Sequence, residues 1–196
     1  MKEQRIADYP IEPLFLRRWS PRAYDAVSMD PTDLFSILEA ARWAPSAYNI
    51  QPWRFLYSLR DDSYWKTYLS LLDPFNAGWA QHASALVFII SDQLTPPDGD
   101  GLQKTSLAHS FDSGAAWAQL ALQATSIGYQ AHAMAGIDHK RSRNMLSVPA
   151  HYQVEVAIAI GKSGDPSSLS EELKDREYPS LRRRMQEITF SGVFPS

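Results

Sequence analysis

Cysteine is absent from the 196-residue chain. That excludes a disulfide framework, a thiolate nucleophile and a cysteine metal site. Long apolar runs are missing as well: the most apolar stretch, residues 85–90, is far short of the roughly 20 residues a helix needs to span a bilayer. The first thirteen residues are polar, with Lys2, Glu3, Arg5 and Asp8, and lack the apolar segment of a secretory signal. The expected location is therefore the cytoplasm, with no membrane partner. A strong charge of one sign is lacking too. The formal net charge is −3, so no global basic field points to nucleic acid.

Several standard site signatures do not occur. The five histidines, His82, His109, His132, His139 and His151, make none of the His-x-x-x-His or His-Glu pairings of a zinc helix. They are read as surface or core residues, and no metal is expected. There is no Gly-x-Ser-x-Gly elbow, no Gly-x-x-x-x-Gly-Lys and no Gly-x-Gly-x-x-Gly. A serine-hydrolase elbow, a P-loop and a Rossmann fingerprint are thereby set aside.

What is present suits one globular domain: 44% hydrophobic and 21% charged residues, with six tryptophans. Asp30-Pro31 reads as a helix start, and Leu34, Ile37, Leu38 and Ala41 follow at helical spacing toward a stop at Pro45. Residues 53–59 alternate as a strand. Residues 64–72 read as a second helix with Tyr64, Tyr68, Leu71 and Leu72 on one side. Residues 85–90 read as a buried strand, and residues 95–101 as a loop. Residues 106–127 form a long helix of small and apolar residues, ending at Gly128. A helix apolar on most faces is central or lies at an oligomer interface. Residues 139–146 read as a short basic helix. Residues 154–160 alternate, with Val154, Val156, Ile158 and Ile160 on one face and Ala157 and Ala159 on the other. The last residues carry Phe190 and Phe194 with little nearby to pack on. The sum is a mixed α+β domain.

Four segments offer groups for a ligand. Arg17-Arg18-Trp19-Ser20-Pro21-Arg22 places three guanidiniums and a hydroxyl within six residues, a match for phosphate oxygens; a solvated basic turn is the alternative. Pro45-Ser46-Ala47-Tyr48-Asn49-Ile50-Gln51-Pro52-Trp53 lies between helix and strand and offers Ser, Asn and Gln side chains plus backbone amides, fixed by two prolines. A helix stop followed by a turn would read the same. Met134-Ala135-Gly136-Ile137-Asp138 has a glycine flanked by apolar residues, which allows close approach of the backbone to a flat ligand. Gly161-Lys162 and the later Arg182-Arg183-Arg184 add further cations.

Taken in order, these segments resemble the nitroreductase family. The arginine-serine-arginine element opens the resemblance. Glu39 to Ser46 then reads Glu-Ala-Ala-Arg-Trp-Ala-Pro-Ser, and Asn49-Ile50-Gln51-Pro52-Trp53-Arg54-Phe55 matches the family's Asn-x-Gln-Pro-Trp-Arg-Phe. The helix opening Phe111-Asp112-Ser113-Gly114-Ala115 and the basic stretch after Gly161-Lys162 continue it. Two departures stand out: Arg183-Arg184-Met185-Gln186-Glu187 in place of Lys-Pro-Leu-Glu-Glu, and Met134-Ala135-Gly136 in place of Pro-hydrophobic-Gly-Gly.

The resemblance implies an α+β sandwich with a mostly antiparallel central sheet flanked by helices, in an interlocked homodimer with FMN in clefts between subunits. It divides the chain into an N-terminal arm (1–13), an FMN-binding domain (14–187) and a tail (188–196) reaching the partner. Carried over by position, Arg17, Arg18, Ser20 and Arg22 hold the phosphate, ribityl chain and pyrimidine edge. Pro45, Ser46, Ala47, Asn49 and Gln51 line the ring and ribityl side. Ala135 and Gly136 present amides to the reactive edge. Gly161, Lys162, Arg182 and Arg183 complete the phosphate cradle. The implied activity is FMN-dependent reduction of nitroaromatic, quinone or related electron-poor acceptors by NADH or NADPH, in ping-pong fashion. No residue of the chain is itself catalytic on this reading, and Arg22 tunes the flavin. Reductive dehalogenation, flavin fragmentation, a non-catalytic flavin carrier and a cofactor-free basic binding module are the other readings.

Overall fold

The computed structural model describes residues 4–195. In chain order its helices are α1 (Pro13–Arg17), α2 (Pro31–Arg42), α3 (Trp65–Ser70), α4 (Pro74–Ala80), α5 (His109–Ser126), α6 (His139–Met145), α7 (Glu171–Lys174) and α8 (Met185–Ile188). The strands are β1 (Trp53–Leu59), β2 (Ala85–Asp92), β3 (Gln130–Met134) and β4 (Tyr152–Gly161). They form one sheet in the order β1-β2-β4-β3, and every neighbouring pair is antiparallel. The α+β architecture is the one expected, with a sheet that is antiparallel throughout the described residues.

One local device starts three of the helices. Asp30, Asp73 and Asp138 each sit at an N-cap and accept a backbone N–H from the first turn: Thr32, Asn76 and Arg141 respectively. Pro31 and Pro74 follow the first two caps, where the missing N–H costs nothing. α5 ends at Gly128, whose φ of 86° is the left-handed conformation that favours glycine.

The sheet separates two apolar cores. Leu86, Phe88 and Ile90 of β2 face Tyr68, Leu71 and Trp79 on the α3–α4 side. Ala85, Val87 and Ile89 face Leu34 and Ile37 of α2 and Ala116, Leu120 and Ala124 of α5. Both faces of β2 are therefore covered, which is why its sequence is a continuous apolar run instead of an alternating one. Each fully buried Leu, Ile or Phe here contributes about 1.5–3 kcal/mol, so losing one from either face weakens the whole sandwich.

The structure corrects the sequence reading in four places. Val154 does not share a face with Val156 and Ile158. Opposite Ile89 and Ile90 the partner positions jump from Val156 to Val154, so Glu155 is a bulged residue without a partner in the ladder. The extra residue turns Val154 into the core with Ala157 and Ala159. α5 starts at His109, after residues 106–108. Tyr64 is 65% exposed at the entry to α3, and Trp65 takes the inward position in its place. α4 and β3 were not expected at all; both are short, and β3 carries Gln130 and His132 among its five residues.

Candidate functional site

The arginine-rich segment runs beside β3. The Trp19 amide donates to Gln130 Oε1 at 3.4 Å, and His132 Nδ1 lies 2.9 Å from the Pro21 carbonyl oxygen. A carbonyl only accepts, so Nδ1 carries the hydrogen and Nε2 keeps its lone pair. Burial is the main cause that pushes the His132 pKa down to about 4; the Pro21 bond opposes it, and the nearby charges of Arg22 and then Arg18 add smaller downward effects. The imidazole also lies 4.7 Å from the Trp79 ring centre.

Glu177 fixes the next two residues. Its Oε1 accepts the amides of Arg22 at 2.8 Å and Ala23 at 2.9 Å. Its side chain is buried. Its Oε2 and the Nε of Arg22 are buried without hydrogen-bond partners among the described residues. Burial is the main influence lowering the Arg22 pKa, with Arg176 adding to it and Glu177 opposing.

A second group of guanidiniums lies alongside. Arg18 Nη1 reaches Ser20 Oγ at 3.3 Å. Arg5 donates to the carbonyls of Leu16, Arg18 and Ser180, and Arg182 donates to the carbonyls of Ser180 and Leu181 and to Ser180 Oγ. Burial first, then the neighbouring guanidiniums, lowers the pKa of both Arg5 and Arg18. Arg5, Arg182 and Arg183 also line a groove of about 820 Å³ with Ile6, Tyr9 and Phe15.

Residues 45–51 form a different kind of surface. Tyr48, Asn49 and Gln51 all have positive φ (51°, 55° and 53°) although none is glycine. Such conformations cost of order 1 kcal/mol or more each and persist only where the surroundings impose them. The Ala47 amide donates to Asp112 Oδ2 at 3.1 Å, and the Gln51 amide to Ser46 Oγ at 3.0 Å. Asp112 is buried in the first turn of α5. Tyr48 stands 99% exposed at the tip.

These two surfaces sit at opposite ends of α5. Ala47 is tied to Asp112 near its start, while Gln130, which holds Trp19, also accepts from Thr125 near its end at 3.2 Å. The two anchors are thirteen helical steps apart, about 20 Å at 1.5 Å per residue. Within one chain, Arg18, Ser20 and Arg22 are thus brought together with β3, and Pro45, Ser46, Ala47, Asn49 and Gln51 are gathered elsewhere. Ala135 and Gly136 follow directly from the far end of β3. Gly136 is required by the protein's own packing: a Cβ there would meet Asp73 Oδ2 at 1.8 Å.

The remaining sequence candidates fall as follows. Arg17 is exposed on the last turn of α1. Gly161 leaves room for the Tyr24 ring, which a Cβ would meet at 2.8 Å. The Lys162 ammonium lies 5.6 Å from the Tyr129 ring centre. Arg182 joins Arg5 at Ser180, and Arg183 is exposed on the groove wall. Sequence reasoning missed Arg5, Asp112, His132 and Glu177 as site residues. Only Asp112 had a signal, its place in the Phe111-Asp112-Ser113-Gly114 block. Among the described residues no group of His, Asp and Glu is placed to hold a metal ion, and no helix is long and apolar enough to cross a membrane.

Known proteins share this fold. The family model described as the nitroreductase family matches residues 16–63, a span that contains both the arginine segment and the strained loop. A solved structure described as an oxidoreductase containing FMN is 45% identical with a TM-score of 0.95, covering 100% of this chain and 98% of that one. An NADH dehydrogenase of Thermus thermophilus is 28% identical, over 88% of this chain and 91% of that protein. A nitroreductase family protein from Streptococcus pneumoniae TIGR4 has a TM-score of 0.72 at 19% identity, covering 91% of this chain and 98% of that one. At that identity the likeness is one of fold.

Proposed function

The chain belongs to the nitroreductase family of FMN-containing oxidoreductases, and from that premise we propose that it uses NADH or NADPH to reduce nitroaromatic, quinone or related electron-poor acceptors in a ping-pong cycle. The observation that carries this reading is the division of the site into a cationic surface and a strained polar loop at the two ends of α5. The cytoplasm, where reduced nicotinamides are supplied, is the compartment it implies.

The residues present fit FMN. Arg5, Arg18 and Arg182 have no carboxylate bonded to them among the described residues, and Arg22 keeps a buried, unpartnered Nε. Uncompensated guanidiniums are suited to a phosphate dianion. Arg18 and Arg182 hold the phosphate, Ser20 offers a hydroxyl to the ribityl chain, and Arg22 sets a positive charge at the pyrimidine edge. Ala135 and Gly136 supply backbone at the end of β3. Asn49, Ser46 and Gln51 supply polar groups from the loop. When bound, FMN supplies the two-electron transfer from reduced nicotinamide to acceptor. The chain's own work is to hold and orient, and Glu177 contributes by fixing the Arg22 amide.

We place the two surfaces together by pairing two copies of the chain. About 20 Å of helix keeps them apart in one subunit, and a two-fold axis that packs α5 against α5 antiparallel would set the start of one beside the end of the other. α5 has the face for this: Phe111 is 82% exposed, and Gly114 has open space beside it. The tail offers Phe190, Val193 and Phe194 to solvent, and β1, an edge strand, borders a groove of about 760 Å³ lined by Phe35, Trp53 and Tyr57. We assign that groove on one subunit to the tail of the other.

Purified protein should release FMN at up to one per chain and lose its yellow colour on anaerobic addition of NADH or NADPH. Release of FAD, or no flavin uptake on reconstitution, overturns the reading. Sedimentation should give a dimer, and deletion of the chain after Glu187 should lower both dimer stability and flavin content. A monomer fully loaded with FMN would refute the shared site while leaving the flavin assignment standing.

A further inference from the structure

Arg5 lies outside every segment the family resemblance covers, yet it is built into the cationic surface. Its Nε donates to the Ser180 carbonyl at 2.9 Å, and its Nη1 donates to the carbonyls of Leu16 at 2.9 Å and Arg18 at 2.7 Å. Leu16 and Arg18 belong to the C-terminal end of α1, where helical carbonyls lack partners and a cation is favoured. Those bonds use Nε and Nη1 and leave Nη2 out of them.

The neighbour at Ser180 is the unusual part. Arg182 Nη1 donates to the same carbonyl oxygen at 3.2 Å. Two guanidiniums thus converge on one neutral oxygen, with their nitrogens within about 6 Å of each other, and like charges at that separation repel. Arg18, whose own carbonyl Arg5 holds, is the third cation close enough to depress the Arg5 pKa, after burial and Arg182. Nearby Asp8 does not neutralise them. Its carboxylate is engaged by Arg184 Nη1 at 2.7 Å and the Met185 amide at 2.8 Å. Three cations from three stretches of chain, with no bonded carboxylate among the described residues, are what a doubly charged anion would compensate.

We propose that Arg5 is a third ligand of the FMN phosphate, and that phosphate binding fastens the N-terminal arm to residues 180–184. The anion is a phosphate monoester dianion. The inference rests on the assignment of Arg18 and Arg182 to the FMN phosphate. It adds that the arm is part of the cofactor site and that its order depends on the cofactor. The Asp8–Arg184 pair serves as the second fastening of the same arm.

The test uses the full chain stripped of flavin and titrated with FMN and with riboflavin, which lacks the phosphate, by flavin fluorescence. Arg5→Gln should raise the FMN Kd about tenfold and leave the riboflavin Kd unchanged. Arg5→Lys should recover part of the loss. In wild type, protease cleavage within residues 4–12 should slow on addition of FMN and not of riboflavin. Equal weakening of both flavins by Arg5→Gln would make Arg5 a structural latch and overturn the proposal. An unchanged FMN Kd in Arg5→Gln, beside a large loss in Arg18→Gln, would overturn it while the cofactor assignment stands. A wild-type protein that binds FMN no better than riboflavin would remove that assignment and the proposal with it. If Arg5→Gln leaves FMN binding intact and raises only the KM for NADPH relative to NADH, the phosphate it meets is that of the nicotinamide, and the proposal fails.

Discussion

At the C-terminal end of α5 the backbone is ordinary and the side chains carry the interest: Arg5, Arg18, Arg22 and Arg182, with His132 and Glu177 packed behind them. At the N-terminal end the loop side chains of residues 45–51 are uncharged, and the backbone carries the interest, with three non-glycine residues at positive φ held by Asp112 and Ser46. One end stores repulsion between like charges; the other stores torsional strain. Both are unfavourable for an isolated chain, and each is relieved by a different chemical partner. Charge repulsion answers to a bound anion, and His132 packed beside it answers to acid. Torsional strain answers to the hydrogen bonds that hold the loop and to changes in the covalent chain.

Acid gives the widest separation between the two ends. His132 is held down at about 4 in the folded chain, against an ordinary value near 6.5. Between those values the unfolded chain takes up a proton that the folded chain refuses, so stability falls as pH drops from 6.5 toward 4. The loss reaches up to about 3 kcal/mol from this one group. Urea unfolding at a series of pH values should show that slope in wild type and a flatter one in His132→Gln. Identical slopes would mean His132 is not buried as described.

Next in size is the phosphate contact. Arg18→Ala should weaken FMN by about 2 kcal/mol, the scale of a charge-assisted bond, and spare riboflavin. Arg17→Ala, one residue earlier on the exposed turn of α1, should change FMN affinity by less than about 0.5 kcal/mol. Comparable losses from the two would erase the distinction between the adjacent arginines.

At the loop end, Asp112→Ala leaves the Ala47 amide without its acceptor. It should lower unfolding stability by about 1–2 kcal/mol and open residues 45–51 to proteolysis. An unaltered protease pattern would show the loop holds its conformation alone. A smaller effect on stability is expected at Tyr48, whose side chain is 99% exposed. Tyr48→Gly removes a positive-φ penalty and should raise stability by about 0.5–1 kcal/mol, with weaker flavin binding as its counterpart. A loss of stability there would mean the torsion is not strained.

The sequence was most legible where local chemistry and tertiary packing agree. Asp30-Pro31 and the spacing of Leu34, Ile37, Leu38 and Ala41 give α2 directly, and the apolar run 85–90 gives the covered strand. It was illegible where one residue changes the phase. Nothing in Gln153-Val154-Glu155-Val156 announces that Glu155 is bulged, because the bulge is defined by the partner strand. Site residues divide the same way. The arginine segment and the loop at 45–51 stood out by composition and by family pattern. Glu177 sits in a charged run, 171–184, where a single buried carboxylate looks like its solvated neighbours, and its role depends on the amides of Arg22 and Ala23, more than 150 positions away in the chain. Arg5 was hidden for a related reason: a polar arm reads as solvent-facing until its three carbonyl acceptors are seen in space.

The helix joining the two ends sets a rule for insertions and deletions. Asp112 must meet Ala47 and Thr125 must meet Gln130 at once. Adding a single residue between them turns one anchor by about 100° relative to the other and lengthens the span by about 1.5 Å. No side-chain substitution could restore both contacts. A whole turn restores the phase only approximately and adds about 5 Å. α5 thus works as a gauge of fixed length and fixed rotation, so that stretch should resist any change of length, whereas residues 95–105, which carry no such double register, are free to grow or shrink.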